Sequence, residues 1–299
     1  MAVRRGRAAG PRDWPALAVE TEYVADRRAY YDALHEATVA AARRAAAERE
    51  RAEDQQVVHA VRALEDCDRT ANELAERVTE WAGSRYEDGP TGVDGARAVA
   101  SGEVGPRDES PGNEGPGEEG PGEEGPGDEG PGNEGPDKAG WESTAVDDRL
   151  RSLAERVRDL DDEADDLRVF LQRTMPGLAP NLSALAGPIL AARLVALAGG
   201  LEDLAKLPSG TVQVLGAEDA LFAHLQGDAP SPKHGVIYTH DAVRETRPED
   251  RGSAARALAG KLSIAARIDH YSGDHRPSLE ADLAERIDRI RTRAEAGDS

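Results

Sequence analysis

The sequence contains a single cysteine, Cys67, in 299 residues, which excludes an internal disulfide framework and any cysteine-rich zinc site. Aromatic residues make up 4% of the chain, with two Phe and three Trp, and hydrophobic residues 38%. That is thin for one large close-packed core. It favours helices with Ala, Leu and Val seams over an aromatic-rich sheet. Lysine is nearly absent: four of the 37 basic residues are Lys138, Lys206, Lys233 and Lys261, and the others are arginine. Long apolar runs are missing too. The most apolar window, Leu182 to Leu201, carries Pro188 and Arg193 near its middle, which a membrane span would resist. The basic start MAVRRGRAAG leads into no apolar stretch, so no secretory signal is expected. The expectation is a soluble cytoplasmic protein without membrane contact.

What is abundant is acid. Against 37 Lys and Arg stand 58 Asp and Glu, a formal charge of −21. A general acidic excess with arginine in place of lysine suits a protein that stays hydrated in high salt. Net charge of one sign speaks to solubility rather than fold, and it argues against nucleic-acid binding unless a local patch overrides the average. The acid is also uneven. Between Glu103 and Lys138 there are 12 acids and two bases, so nearly half the net charge lies in this stretch. From Ser110 to Pro136 it repeats a five-residue unit, SPGNE, GPGEE, GPGEE, GPGDE, GPGNE. Proline blocks helix propagation, glycine maximises backbone entropy and nothing apolar is left to bury, so disorder is expected here.

Helical periodicity flanks the repeat. Val57, Val61, Leu64, Cys67, Ala71, Leu74, Val78 and Trp81 step by three and four. Val146, Leu150, Leu153, Val157, Leu160, Ala164, Leu167 and Leu171 do the same in an unbroken heptad seam. Two seams of matched length around a disordered tip predict an antiparallel hairpin, each arm about 37 Å long; the other reading is two unrelated amphipathic helices on a globular core. Upstream, residues 24–53 read as one helix rich in Ala, Arg and Glu. Downstream, Pro176 and Pro180 are expected to end the second arm. Helical patterns follow at Leu185–Ala198, Leu201–Lys206, Ala217–Gln226, Pro248–His270 and Leu279–Arg293. Loops are expected at Pro208–Gly210 and Asp228–Pro232, and an isolated β-prone run at Gly235–Tyr238.

The expected fold class is therefore all-α: a coiled-coil hairpin plus a compact C-terminal helical domain, with a disordered acidic insert. Room for about two domains fits the length. In boundaries, 1–23 is a disordered or remnant segment, 24–56 an N-terminal helix, 57–88 the first arm, 89–141 the linker, 142–175 the second arm and 176–299 the C-terminal domain.

Catalysis has no visible owner. The sequence has no G-x-S-x-G, no H-E-x-x-H, no phosphate-cradling glycine loop and no dinucleotide fingerprint. His224, His234, His240, His270 and His275 match no zinc spacing, so neither metal nor cofactor is expected. Cys67 falls on a seam, where a buried inert thiol is the natural reading. Charge offers a better lead. From Ser231 to Tyr271 there are seven bases (Lys233, Arg244, Arg247, Arg251, Arg256, Lys261, Arg267) against five acids, a net +2 inside a chain at −21. A basic patch kept in an acidic protein suits a phosphate backbone, although such bases also serve as salt-bridged surface.

Longer strings carry more. VLGAEDALF (214–222), PKHGVIY (232–238) and RALAGKLSIAARID (256–269), in this order and spacing, strongly resemble the Nop domain. So do APNLSALAG (179–187) and ARLVALAGGLEDLAKLP (192–208), and ALEDCDRTANELAERVTEW (63–81) looks like the first coiled-coil arm of the same family. The match covers about 24–88 and 142–296. It resembles the archaeal Nop-family scaffold of box C/D small ribonucleoprotein particles.

The resemblance implies a non-catalytic subunit. It implies a homodimer through the coiled coil, although a heptad seam also closes within one hairpin. It further implies a kink-turn guide RNA held jointly with a small ribosomal-protein-like partner, and fibrillarin, the S-adenosylmethionine-dependent methyltransferase, held through the N-terminal domain for ribose 2′-O-methylation. About 23 residues precede the helix near Val24, too few to fold alone, so fibrillarin contact is expected to rest on that remnant and the next helix. Carried onto this chain, Gln213, Gly216, Ala217 and Glu218 would sit at the protein–RNA junction. Lys233 and His234 would contact phosphate or stack on a nucleotide, and Arg251, Arg256 and Lys261 would line the same surface. Lys261 and Arg267 have intradomain salt bridges as their alternative. Gly235, Ile237 and Tyr238 read as packing, and Asn181 as satisfying backbone groups where the arm joins the domain. Ser253 falls where the family usually has a base.

Overall fold

The computed structural model describes residues 12–86, 89–104, 138–227 and 230–297, and among them it is all-α, with thirteen α-helices and no strand. The acidic repeat lies outside the described residues. The chain divides into two units, Met1–Gln56 and Val57–Ser299.

In the first unit, residues expected within a remnant segment form α1 (Trp14–Glu20), with Asp13 accepting from the Ala16 N–H at 3.2 Å. Helix α2 (Arg27–Glu50) starts at Asp26, whose carboxylate takes the Ala29 N–H at 2.8 Å. Such caps satisfy N–H groups that have no partner within the helix. The expected continuous helix over 24–56 is instead interrupted at Arg51 and Ala52, and α3 (Glu53–Gly83) begins beyond them.

In the second unit, α3 and α5 (Lys138–Leu178) form the hairpin. Its register is antiparallel: Arg85 pairs with Asp147, while Asp68 pairs with Arg168, so one number rises as the other falls. The predicted seams are its core. Val57, Val61, Leu64, Ala71 and Val78 face Leu150, Val157, Ala164 and Leu171, all buried. Pro176 does not end the arm. Its missing N–H forfeits one bond to the carbonyl of Gln172, an exposed residue, and the helix nevertheless runs on to Leu178.

At the distal end the seam departs from its predicted course. Trp81 is 37% exposed, and Ala82 is buried instead. The cause is α4 (Gly92–Ser101), a helix lying where the linker over 89–141 was expected to be disordered. Its Ala96, Val99 and Ala100 join Ala75, Val78, Ala82, Leu150, Ala154 and Val157 in one apolar cluster. Alanines on α3 and α4 let three helices approach where an indole would hold them apart. Arg97 reinforces the contact, bonding Asp161 at 2.6 Å and Asp162 at 2.7 Å on α5.

The C-terminal part of this unit is a helical cluster: α6 (Pro180–Ala186), α7 (Pro188–Ala198), α8 (Leu201–Lys206), α9 (Ser209–Val214), α10 (Glu218–Gln226), a 3₁₀ turn over Val236–Thr239, α11 (Asp241–Arg244), α12 (Arg251–Tyr271) and α13 (Ser278–Gly297). The β-prone run is thus a helical turn, too short and isolated to find a pairing partner, and the loop read at 208–210 opens α9. The pattern read as one helix over 185–198 breaks at Gly187 (φ 75°) followed by Pro188. Pro188 cannot continue a helix through its own N–H but suits a first turn. Helix α12 is the axle. Its Ala254, Ala255, Leu258, Ala259, Leu262, Ala265 and Ala266 are all buried, with α6, α8, α9, α11 and α13 packed around them. Among the described residues no single helix is long and apolar enough to cross a membrane; the apolar pair α6 and α7 is bent by 118°.

Candidate nucleic-acid interface

The geometry around the PKHG loop begins with two backbone bonds. The Gly235 N–H donates to the Gln213 carbonyl and the Val236 N–H to the Leu215 carbonyl, each at 2.8 Å. The loop is thereby laid against the end of α9. The approach is so close that a Cβ on Gly235 would stand 2.0 Å from the Leu215 oxygen, which only glycine avoids. Gly216 has φ 80°, and a Cβ there would press on Leu197 and Val236 at 3.2 and 3.3 Å. Its N–H donates to Glu218 Oε1 at 2.9 Å. Ala217 and Glu218 therefore open α10 beside this turn, and the carboxylate is engaged with it. Helix α10 buries none of its residues and leaves Phe222 65% and Leu225 74% exposed.

Gln213 has a local task. Its side-chain Nε2 donates to the Lys233 carbonyl at 2.7 Å, so it holds the loop rather than offering its amide protons freely. Past that carbonyl, the Lys233 stem runs over the first turn of α12, 3.8 to 3.9 Å from where a Cβ on Gly252 would be. His234 stacks on Tyr238 with ring centroids 4.6 Å apart and planes 22° apart. Arg251 lies over the same Tyr238 ring at 5.3 Å. Its guanidinium donates to two carbonyls, Thr246 O at 3.1 Å and Arg244 O at 3.3 Å. Neither is an acid, so its charge is oriented and not neutralised.

Among the described residues Lys233, Arg251 and Arg256 have no carboxylate within ion-pair distance, whereas Lys261 pairs with Asp282 at 2.6 Å. Arg267 donates to the carbonyls of Ala205 and Leu207 at the end of α8. The His234 imidazole is held below its ordinary value, first by burial and then by the nearby Arg251 and Lys233 charges.

The structure thus brings Gln213, Gly216, Lys233, His234 and Arg251 together, with Ala217 and Glu218 at the edge. Arg256 stands one helical turn beyond Gly252. It opens into a groove of about 1080 Å³ between α12 and α13, shared with Arg247, Lys261, Asp282, Glu285 and Arg286. Lys261 lies further along that groove, away from the loop. Tyr238, read from the sequence as packing, does pack against the domain core, and its ring also carries the contacts to His234 and Arg251. Its four-residue spacing from His234 carried no signal, because the segment has no helical period to interpret it by.

Comparison with known proteins decides the family. The Nop family model, described as snoRNA binding domain, fibrillarin, matches residues 143–292, half of the chain. The chain belongs to the Nop family. An uncharacterized NOP5 family protein of Methanocaldococcus jannaschii is 48% identical over 145 residues, covering 48% of this chain and 35% of that protein. Nucleolar protein 58 of Scheffersomyces stipitis is 33% identical over 251 residues, covering 80% of this chain and 48% of that protein. Nucleolar protein 56 of Dictyostelium discoideum is 41% identical over 139 residues, or 46% of this chain and 26% of that one. The chain spans about a third to a half of the length of the first two of these relatives. A crystal structure of a fibrillarin/Nop5p complex contains a chain that shares the fold, with a TM-score of 0.50 at 24% identity, covering 95% of this chain and 88% of that one. The Nop match takes in α6 to α12, and with them the whole PKHG cluster.

Proposed function

We propose that this chain is the core scaffold of a box C/D ribonucleoprotein. It binds a kink-turn guide RNA together with a ribosomal-protein-like partner, and it positions fibrillarin for RNA-guided ribose 2′-O-methylation without itself catalysing the transfer. The observation that carries the reading is the cluster of Lys233, His234 and Arg251. Two cations that have no carboxylate partner among the described residues lie beside a stacking ring, in a chain whose net charge is −21. Phosphate answers the cations, and a nucleotide face answers the imidazole. The exposed Phe222 and Leu225 on α10 are the surface offered to the protein partner. The hairpin is the element through which two copies would associate.

In molar salt, electrostatic attraction is screened within about 3 Å, so contact geometry carries more of the affinity than long-range steering. The test is a gel shift in high salt, with a kink-turn RNA pre-bound by its ribosomal-protein-like partner. A further shift on adding this chain, requiring both RNA and partner, is the expected result. A folded, helical chain that gives no shift would instead leave a coiled-coil adaptor without RNA.

A further inference from the structure

We infer that Tyr238 is a positioning residue for RNA recognition, the ring that sets the His234 imidazole and the Arg251 guanidinium in one arrangement before RNA arrives. The inference rests on the scaffold reading above, and it assigns a role to a residue that otherwise counts as core.

Three observations lead to it. The first is that one ring serves two groups from different elements. His234 comes from the loop laid against α9, and Arg251 from the first turn of α12. Apart from Tyr238, what ties them to the domain is backbone: Gln213 holds the carbonyl before His234, and two carbonyls hold Arg251. Tyr238 links the two side chains through its faces, with planes 22° apart for the histidine and 5.3 Å to the guanidinium carbon. Aromatic pairs in such offset geometry and cations over a ring are both favourable.

The second is that the hydroxyl has no assignment. Among the described residues no hydrogen bond engages the Tyr238 Oη, so the ring rather than the phenol is what the structure uses. Phenylalanine should therefore serve as well, and leucine should not, although leucine fills similar space.

The third is where the residue stands. Tyr238 sits in the 3₁₀ turn, next to the fully buried Ile237, and its N–H donates to the Gly235 carbonyl at 3.0 Å. The ring is thus fixed from the core side, while its stacked partner His234 is only partly buried. A side chain that is to meet a nucleotide loses less rotamer freedom on binding if it is held in place beforehand.

The test uses the full chain with a kink-turn RNA pre-bound by its ribosomal-protein-like partner. Tyr238→Leu should weaken binding about three- to tenfold. Tyr238→Phe should bind as the wild type does. Combining Tyr238→Leu with His234→Ala should cost less than the two separate losses multiplied together, since both remove one stacked unit. The slope of affinity against salt should change less in Tyr238→Leu than in Lys233→Ala, because Arg251 loses its support but keeps its charge.

A second readout needs no RNA. In the wild type and in Tyr238→Phe the His234 ring proton resonances should be displaced by ring current, and Tyr238→Leu should bring them back toward exposed-histidine positions. Unchanged resonances in Tyr238→Leu, or wild-type affinity in that variant, would overturn the inference while leaving the scaffold reading intact. Failure of the wild-type chain to bind the RNA complex would overturn the scaffold reading, and this inference with it.

Discussion

Asn181 and Asp269 lie 88 positions apart in the chain and meet in a hydrogen bond of 2.6 Å, from the Asn181 Nδ2 to Asp269 Oδ1, with both residues buried. The same carboxylate accepts the N–H groups of Asn181 and Leu182 at 3.0 and 2.9 Å. The end of α12 thereby caps the first turn of α6. Asn181 completes the junction, accepting the Arg276 N–H at 2.7 Å and donating to the Asp274 carbonyl at 2.8 Å. Asp269→Ala leaves three donors without their acceptor in the interior. The expected loss is about 3 kcal/mol of unfolding free energy, measured by denaturant titration. A loss under about 1 kcal/mol would mean that water replaces the carboxylate at this junction.

Gly235 is expected to tolerate no side chain. In Gly235→Ala the new Cβ would overlap the Leu215 carbonyl, so the loop must lift off α9 and carry Lys233 and His234 with it. Helical content should be preserved, since the overlap falls on the backbone of Leu215 and Val214, while affinity for the RNA–partner complex should fall by more than about tenfold. Circular dichroism and a gel shift on the same sample separate the two effects.

Two lysines on the basic stretch should behave differently. Lys233, without a carboxylate partner among the described residues, is expected to contact phosphate, so Lys233→Ala should reduce the slope of log affinity against log salt by about one. Lys261 is tied to Asp282, and Lys261→Ala should change that slope less. Equal changes would place the α12–α13 groove in the RNA path alongside the loop.

His234 should give stability a pH dependence of known sign. Its folded value lies below the ordinary 6.5 because burial and the Arg251 and Lys233 charges oppose protonation. The unfolded chain therefore binds more protons, and stability rises with pH. The contribution is fully present above about pH 6.5 and is lost as pH falls through the depressed folded value. His234→Asn should flatten this part of the pH profile, as read from thermal melts across pH 5 to 8.

Helix α4 is expected to be held by its apolar face more than by its ion pairs. Arg97 is part-exposed, and Arg97→Ala should cost about 1 kcal/mol or less. Val99 is 1% exposed, and Val99→Asp should release the helix altogether, seen as rapid amide exchange over residues 92–101 with the rest of the hairpin still protected. Slow exchange there in Val99→Asp would show that the ion pairs suffice.

Much of this was legible in the chain. Val57 to Val78 and Leu150 to Leu171 declare a buried stripe by spacing alone, because each helical turn repeats the same face and no distant partner is needed to define it. The Nop resemblance was likewise present in long strings such as PKHGVIY. Other features depend on what lies across a gap in sequence. Whether Trp81 or Ala82 enters the seam is decided by the arrival of α4, and neither residue's neighbours reveal it. Pro176 continues a helix, and the residue whose carbonyl it deprives of a bond, Gln172, is exposed, which is a fact about the packed hairpin. Asp269 is acidic like its many exposed counterparts, yet it is buried as a helix cap 88 positions upstream. Gly235 is one of 31 glycines, and only the carbonyl 2.0 Å from its missing Cβ makes it irreplaceable. Tyr238 is an ordinary core aromatic until His234 and Arg251 meet on its ring. Periodicity, composition and charge are local properties, so the sequence by itself determined the helices, the hairpin seams and the acidic balance; contacts between residues far apart in the chain arise only on packing, and the tertiary structure alone decided which side chains face one another.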